Sequence, residues 1–266
     1  MGEITSKTKI HIKDVSFEYV DKKSKYEALS NVSLDIKEGE FVCLLGSSGC
    51  GKSTLLSLLS GMNKVTSGVI NVDDHEIEGP GIDRAVVFQH YSLFPWLTAK
   101  GNVLFGIKQN GKNYTKKERS ELADSYLDSV GLSYAKDKYP SQLSGGMQQR
   151  VAVARALALE SDILLFDEPF GAIDPKLRLE LQELVSRLSV EKKKTVVFVT
   201  HDIDEALYLS DRIVIMTPRP GRISEVIEID LHHPRQRNAL DYTRMRNKLL
   251  EKFHLASEPI EPEYTI

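Results

Sequence analysis

"FVCLLGSSGCGKSTLLSLLSG" spans residues 41–61, and its reading decides the fold. Phe41 to Leu45 form a short, continuous apolar run after the turn-like "EGE", as suits a parallel strand buried on both faces. "GSSGCGKST" (46–54) then matches the phosphate-loop pattern, with Gly46, Gly51, Lys52 and Ser53 in the required places. Its glycines let the backbone wrap closely, so that successive N–H groups point at the β- and γ-phosphates of a nucleotide. Lys52 adds a mobile positive charge, and the Ser53 hydroxyl suits Mg²⁺. A Gly/Ser-rich turn could match by chance. Here a strand precedes the loop and helix-like "KSTLLSLLSG" follows it, closed by Gly61 in a plausible C-terminal capping position.

Outward from this stretch, residues 8–45 read as strands. In "NVSLDIK", Val32, Leu34 and Ile36 alternate with polar neighbours at the period of a half-buried strand. Further apolar strand candidates are 84–88, 163–167, 195–200 and 212–216. Leu177, Leu181, Leu184, Val185 and Leu188 make one stripe of an amphipathic helix. Strands alternating with helices predict an α/β core with a parallel sheet. Residues from about 100 to 160 are helix-like without a convincing strand, and read as a helical subdomain inserted into that core. The tail after about 230 is polar and reads as a helix followed by a loosely held end, "SEPIEPEYTI".

The composition, 41% hydrophobic and 27% charged with a net charge of −3, is that of an ordinary globular chain without the basic excess of a phosphate-neutralising nucleic-acid binder. The longest apolar runs, such as "FVCLL" and "ILLF", are far too short to cross a bilayer. The opening "MGEITSKTKIHIK" has no apolar core, so a secretory leader is not expected. Cys43 and Cys50 sit in or beside the phosphate loop, where a structural disulfide is not expected and a reducing cytoplasm is the natural compartment. Any membrane role would then be peripheral.

Other motifs carry chemistry. "ILLFDEP" (163–169) is an apolar strand ending in two acids. Asp167 can hold Mg²⁺ through water, and Glu168, one residue further out, can orient or deprotonate an attacking water. Alone, Asp-Glu-Pro would equally serve as a polar strand exit. His201 follows apolar "TVVFVT" and either contacts a γ-phosphate or caps the strand end; Gln89, after "AVVF", is either a metal ligand or a surface glutamine. "QLSGGMQQR" (142–150) sets a serine and two glycines at a helix start, a second place suited to an anion.

In this order, the phosphate loop, Gln89, "LSGGM", "ILLFDE", "GAID" (171–174) and His201 resemble the ATPase subunit of an ABC transporter, over nearly the whole chain to about residue 225. The resemblance implies a phosphate-loop NTPase core with an N-terminal antiparallel β-subdomain and an inserted helical subdomain at about 90–160. The ABC ATPase domain would then span 1–230 and a short helical tail 231–266. It implies that Gly46, Ser47, Ser48, Gly49, Cys50, Gly51, Lys52, Ser53 and Thr54 bind the triphosphate of ATP. Asp167, Gln89 and Ser53 would serve Mg²⁺, Glu168 would be the general base and His201 the switch histidine. An aromatic that stacks on adenine in the family is matched by Tyr19 in "VSFEY", with Phe17 close by. The signature loop, Ser144, Gly145 and Gly146, would close over the ATP of a second ATPase subunit, so the resemblance implies a dimer, expected to be a homodimer. Met147 departs from the glutamine usual there.

In the family, a helix of the membrane permease docks where Leu93, Phe94, Trp96 and Leu97 fall here, though such side chains also fill local cores. "EIEGPGIDRAVVFQ", "LFPWLT" and "TPRPGRI" (217–223) are similar to the ATPases of nitrate, sulfonate, taurine and related importers. That implies a peripheral subunit on the cytoplasmic face, served indirectly by an extracytoplasmic solute-binding protein and binding no nucleic acid. Arg235, Arg237, Arg244 and Arg246 read as a solvated helix face, with permease or anionic lipid as the alternative contact. Two rival classes stand beside this reading. A soluble ABC ATPase of a non-transport assembly is disfavoured by a single ATPase half, no heptads and no basic excess. A non-catalytic nucleotide-binding module would need neither Glu168 nor His201.

Overall fold

The computed structural model describes residues 7–21, 24–89, 91–171 and 173–257. Ala172 of the "GAID" motif and the end of the tail from 258 on, including the expected loose end, lie outside them.

The chain opens with two long strands, β1 (Thr8–Asp21) and β2 (Ser24–Lys37), paired antiparallel. β3 (Phe41–Leu45) follows, then the phosphate loop and α1 (Lys52–Leu59). β4 (Ser67–Val72) and β5 (His75–Glu76) return to the first sheet, whose order is β2-β1-β4-β5. β6 (Arg84–Val87) precedes three helices, α2 (Ala99–Gln109), α3 (Lys116–Ser129) and α4 (Gly145–Ala158). Then come β7 (Ile163–Asp167), α5 (Pro175–Glu191), β8 (Thr195–Thr200), α6 (Ile203–Leu209), β9 (Arg212–Thr217), β10 (Arg222–Glu228) and α7 (Leu240–Ser257). The second sheet runs β10-β9-β3-β8-β7-β6, parallel throughout except for β10 at its edge.

The apolar runs are continuous because this sheet is covered on both faces. Along β3, Val42 and Leu44 join a core with the antiparallel sheet and with Leu55, Leu56, Leu58 and Leu59 of α1. Phe41, Cys43 and Leu45 join a second core under the helices, with Phe166, Phe198 and Leu181. Successive side chains of a strand point to opposite faces, so one five-residue run serves two cores. Each fully buried aliphatic of this kind contributes about 1.5–3 kcal/mol. The stripe read at Leu181, Leu184, Val185 and Leu188 is the buried face of α5, and Leu177 packs against the same core.

Four elements were not read from the sequence: β4, β5, the short helix α6 and β10. β4 pairs with β1 through contacts such as Ile10 with Val72 and Ile12 with Ile70, a pairing no local pattern announces. The two sheets are also tied by one buried cation. Lys9, on β1, sets its ammonium 2.6 Å from Asp73 beside β4 and 3.0 Å from Asp162 before β7.

The tail corrects one expectation. Arg235 and Arg237 precede α7 and do not form a solvated face. Arg235 is 6% exposed and donates to the carbonyls of Leu207 and Ser210 at the end of α6. Arg237 donates to Gln182, and Arg246 forms a two-pronged pair with Asp204. Guanidinium donors find helix-end carbonyls and carboxylates here, which a charge count cannot foresee. Arg244 alone of the four is exposed in the manner expected.

Gly61 ends α1 as its position suggested. Its N–H donates to Leu58 O at 3.0 Å and that of Met62 to Ser57 O at 3.0 Å, the paired bonds of a Schellman cap. Gly61 sits at φ +77°, and a Cβ there would fall 2.2 Å from Gly79 O. Gly61→Ala should therefore destabilise the protein by about 2–4 kcal/mol, read as a lower urea midpoint at unchanged slope.

Candidate active site

The site forms where parallel strands end. β3 delivers the phosphate loop, β7 delivers Asp167 and Glu168, β8 delivers His201 and β6 leads to Gln89. Cavities at the carboxyl ends of a parallel sheet are where such folds bind ligands. Here a cleft of about 410 Å³ is lined by Tyr19, Tyr26, Ser48, Gly49, Gly51, Lys52, Ser53, Thr54, Gln89 and Glu168. A larger hollow of about 600 Å³ lies at the opposite strand ends, around Phe41, Ser189, Lys194 and His233, and holds none of the motifs.

No side chain caps α1 at Gly51, so its first-turn amides present an anion site at the helix's positive end. Lys52, 4% exposed, donates from Nζ to Gly46 O at 2.7 Å and Ser47 O at 3.0 Å, and lies 4.0 Å from Glu168 Oε1. The ammonium is thereby folded under the loop. Cys50 Sγ is 3.8 Å from it, and burial raises the Cys50 thiol above its ordinary pKa despite the ammonium. Cys43 and Cys50 are both free and buried.

Ser53 Oγ donates to Asp167 Oδ1 at 2.8 Å. Burial holds the Asp167 carboxyl above its usual range, and the Glu168 charge adds to this against the Ser53 hydrogen bond and Lys52. A half-buried carboxylate beside a hydroxyl is a donor set for Mg²⁺, a hard cation that takes one or two carboxylates and completes its shell with substrate oxygens and water. Among the described residues no group of three or more His, Cys, Asp or Glu is placed to hold a metal ion by itself. The residues present fit Mg²⁺ bound jointly with a phosphate.

Glu168 takes a left-handed φ of +41°, and its N–H bonds Val199 O at 3.0 Å, which turns the side chain out of the sheet. Its Oε2 lies 3.1 Å from His201 Nδ1. The carboxylate therefore stands between the Lys52 ammonium and the imidazole. Gln89 lines the same cleft. Of the two aromatics considered, Phe17 is core, and Tyr19 is exposed with its hydroxyl 3.3 Å from Thr54 Oγ1. Tyr26, paired across the strands with Tyr19, lines the cleft as well and was missed. An aromatic on the neighbouring strand was its only sequence signal.

Ser144, Gly145 and Gly146 are not among the cleft's lining residues. Ser144 is exposed and caps α4, accepting from Met147 N at 3.4 Å. Gly146 has no room for a side chain, since a Cβ there would lie 1.8 Å from Leu177 Cδ2 of α5. Tyr91 covers Gly145, with its hydroxyl 2.8 Å from where a Cβ would stand. Tyr91 and Ser92 both have positive φ, 35° and 47°, and Arg155 of α4 clasps them. It donates to Ser92 O at 2.8 Å and Tyr91 O at 3.4 Å, and lies over the Phe94 ring at 5.4 Å. Arg155 was also missed, since its acceptors are backbone carbonyls some sixty residues away. In the aromatic segment, Leu93 packs on the core, Phe94 is half-buried and Trp96 is 70% exposed.

Comparison with known proteins agrees with this fold. The family described as ABC transporter matches residues 29–171. An uncharacterized ABC transporter ATP-binding protein of Methanocaldococcus jannaschii is 46% identical over 92% of this chain and 91% of its own. The nitrate import ATP-binding protein NrtD of Synechococcus elongatus is 44% identical over 91% of this chain and 90% of its own. The bicarbonate transport ATP-binding protein CmpC of the same organism is 48% identical over 80% of this chain, which spans only 32% of that longer protein. A dimeric ATP-binding cassette in a post-hydrolysis state, bound to ADP and Pi, superposes with a TM-score of 0.75 at 35% identity, covering 84% of this chain and all of that one. By its family match, its relatives and its fold, this chain belongs to the ATP-binding subunits of ABC transporters.

Proposed function

We propose that this chain is the ATP-hydrolysing subunit of an ABC importer, working as a dimer on the cytoplasmic face of a membrane and driving uptake of a small solute through a permease. The observation that carries the reading is the convergence of Lys52, Ser53, Asp167, Glu168 and His201 at one set of strand ends, while the signature serine is exposed and does not line that cleft. The nitrate and bicarbonate names of its relatives favour a small anion as solute, with sulfonate and taurine in the same range. No helix among the described residues is long and apolar enough to cross a membrane, so the path would belong to permease subunits, fed by an extracytoplasmic binding protein. Residues 1–230 would be the ATPase domain and 231–266 its tail.

In this mechanism the amides of residues 46–54 wrap the triphosphate and Tyr19 stacks on adenine, with Tyr26 beside it. Lys52 exchanges the Gly46 and Ser47 carbonyls for phosphate oxygens, a trade of neutral for charge-assisted bonds. Ser53, Asp167 and Gln89 would hold Mg²⁺, which neutralises charge on the phosphates when bound. Glu168 takes the proton of the water whose oxygen attacks the γ-phosphorus, and the bond to the β,γ-bridging oxygen breaks to release ADP. His201 orients the Glu168 carboxylate. Ser144 and the amides of Gly145 and Gly146 complete the γ-phosphate shell of a second subunit, so that turnover requires the dimer. The exposed ring of Trp96, beside the segment that carries Gln89, is the docking point for the permease.

Three outcomes test this. Glu168→Gln should lower kcat for ATP by about 10²-fold or more while ATP binding stays within about twofold; turnover near the parent's would remove Glu168 as the base. Lys52→Ala should weaken ATP binding about 10- to 100-fold by calorimetry, the loss of charge-assisted bonds, and normal affinity would refute that role. Trp96→Ala should leave basal hydrolysis within about twofold yet cut uptake about tenfold in cells that depend on the transporter; full uptake would overturn the docking assignment.

A further inference from the structure

His201 stands on a turn whose support comes from the tail. The residue before it, Thr200, and the residue after it, Asp202, are bonded to each other, the Asp202 N–H donating to Thr200 Oγ1 at 3.0 Å. The Thr200 hydroxyl in turn donates to Glu205 Oε2 at 2.7 Å. Glu205 is 5% exposed, and its other oxygen, Oε1, accepts from Gln182 Nε2 of α5 at 3.4 Å. Gln182 is 2% exposed, and its Oε1 accepts from Arg237 Nη2 at 2.6 Å. Arg237 lies in the segment before α7, its guanidinium 4.1 Å over the ring of Tyr208 on α6.

Each link has one workable polarity. A carboxylate only accepts, so Gln182 must turn its NH₂ toward Glu205 and its oxygen away. Arg237, which only donates, sits at that oxygen and fixes the amide in this sense. Without a donor there, the amide can flip and set oxygen against oxygen in a buried site, where mispaired polar groups are costly. The other groups around Glu205 are consistent with a held turn. Arg178 of α5 lies 3.8 Å from Glu205 Oε1 and 3.5 Å from Asp202, and Arg246 of α7 pairs with Asp204 at 2.7 Å. Burial keeps the Glu205 carboxyl above its ordinary pKa against the Thr200 hydrogen bond, so each remaining donor matters to it.

We propose that Arg237 is a positioning residue for His201, acting through Gln182, Glu205 and Thr200, so that the C-terminal segment sets how well the histidine meets Glu168. The inference rests on the ATPase reading above. It gives the tail a part in the chemistry without bringing any tail residue into the cleft.

The test uses the full chain with Arg237→Met, which keeps the length and loses the donors, and Arg237→Lys, which keeps one. Arg237→Met should lower kcat about 5- to 10-fold with KM for ATP within about twofold, because a loosened turn misplaces a catalytic group without touching bound nucleotide. Arg237→Lys should restore most of that loss. Combined with His201→Ala, Arg237→Met should cause no further drop, since a residue acting through His201 has nothing left to act on. Hydrogen exchange of the amides at 200–206 should be faster in Arg237→Met and near normal in Arg237→Lys. Unchanged exchange in Arg237→Met overturns the relay whatever the turnover, and full additivity with His201→Ala overturns the link to the histidine. A parent protein that hydrolyses no ATP would instead sink the ATPase reading, and the exchange measurement would still decide the relay.

Discussion

A parallel strand buried on both faces must send its chain out at its carboxyl end, and that end of β3 governs the rest of this molecule. Val42, Cys43, Leu44 and Leu45 are all wholly buried between two strands and two cores. No polar group can be carried inside that run, so polar chemistry begins at Gly46. The neighbouring strands end at the same level, which places Asp167, Glu168 and His201 around whatever the loop holds. The site is thus a consequence of register in the sheet.

The antiparallel sheet and the helical insertion divide the remaining work. The sheet supplies Tyr19 and Tyr26 at the near edge of the cleft. The helices carry the second candidate anion site, with Ser144 exposed and Gly146 buried, and connect it inward twice. Gly146 packs on Leu177 at the start of α5, and Arg155 holds the segment that follows Gln89. Both connections are direct contacts, the kind of physical continuity that coupling between sites requires.

Much of this was legible because the strongest features are local. β3, β7 and β8 announce themselves as apolar runs, α5 by its stripe, and the candidate catalytic groups by their places at or just after strand ends. β4 and β10 escaped for physical reasons. β4 opens on exposed Ser67 and Gly68 and has only two buried side chains, Ile70 and Val72, and its partner β1 lies more than fifty residues earlier, so its stability comes from pairing and not from pattern. β10 has only one well-buried side chain, Ile227, along its exposed edge. The tail arginines were misread because their acceptors are carbonyls and carboxylates of α5 and α6, and the sequence states charge but not the partner that folding brings to it. Tyr26 and Arg155 escaped in the same way.

Lys9 bridges the sheets through Asp73 and Asp162, and this arrangement restricts the order in which the three positions can change. The cation is nearly dry, whereas Asp162 is largely in water and Asp73 partly so. Losing either aspartate leaves the other to neutralise the lysine, so each is tolerable first. Losing both strands a desolvated ammonium, whereas replacing Lys9 first leaves Asp162 largely in water and Asp73 paired with Lys7. A route from this salt-linked seam to a hydrophobic one therefore requires the lysine to go before the last of the two aspartates. Homologous chains part-way along that route would be expected to keep an acid without the lysine, and not the lysine without an acid.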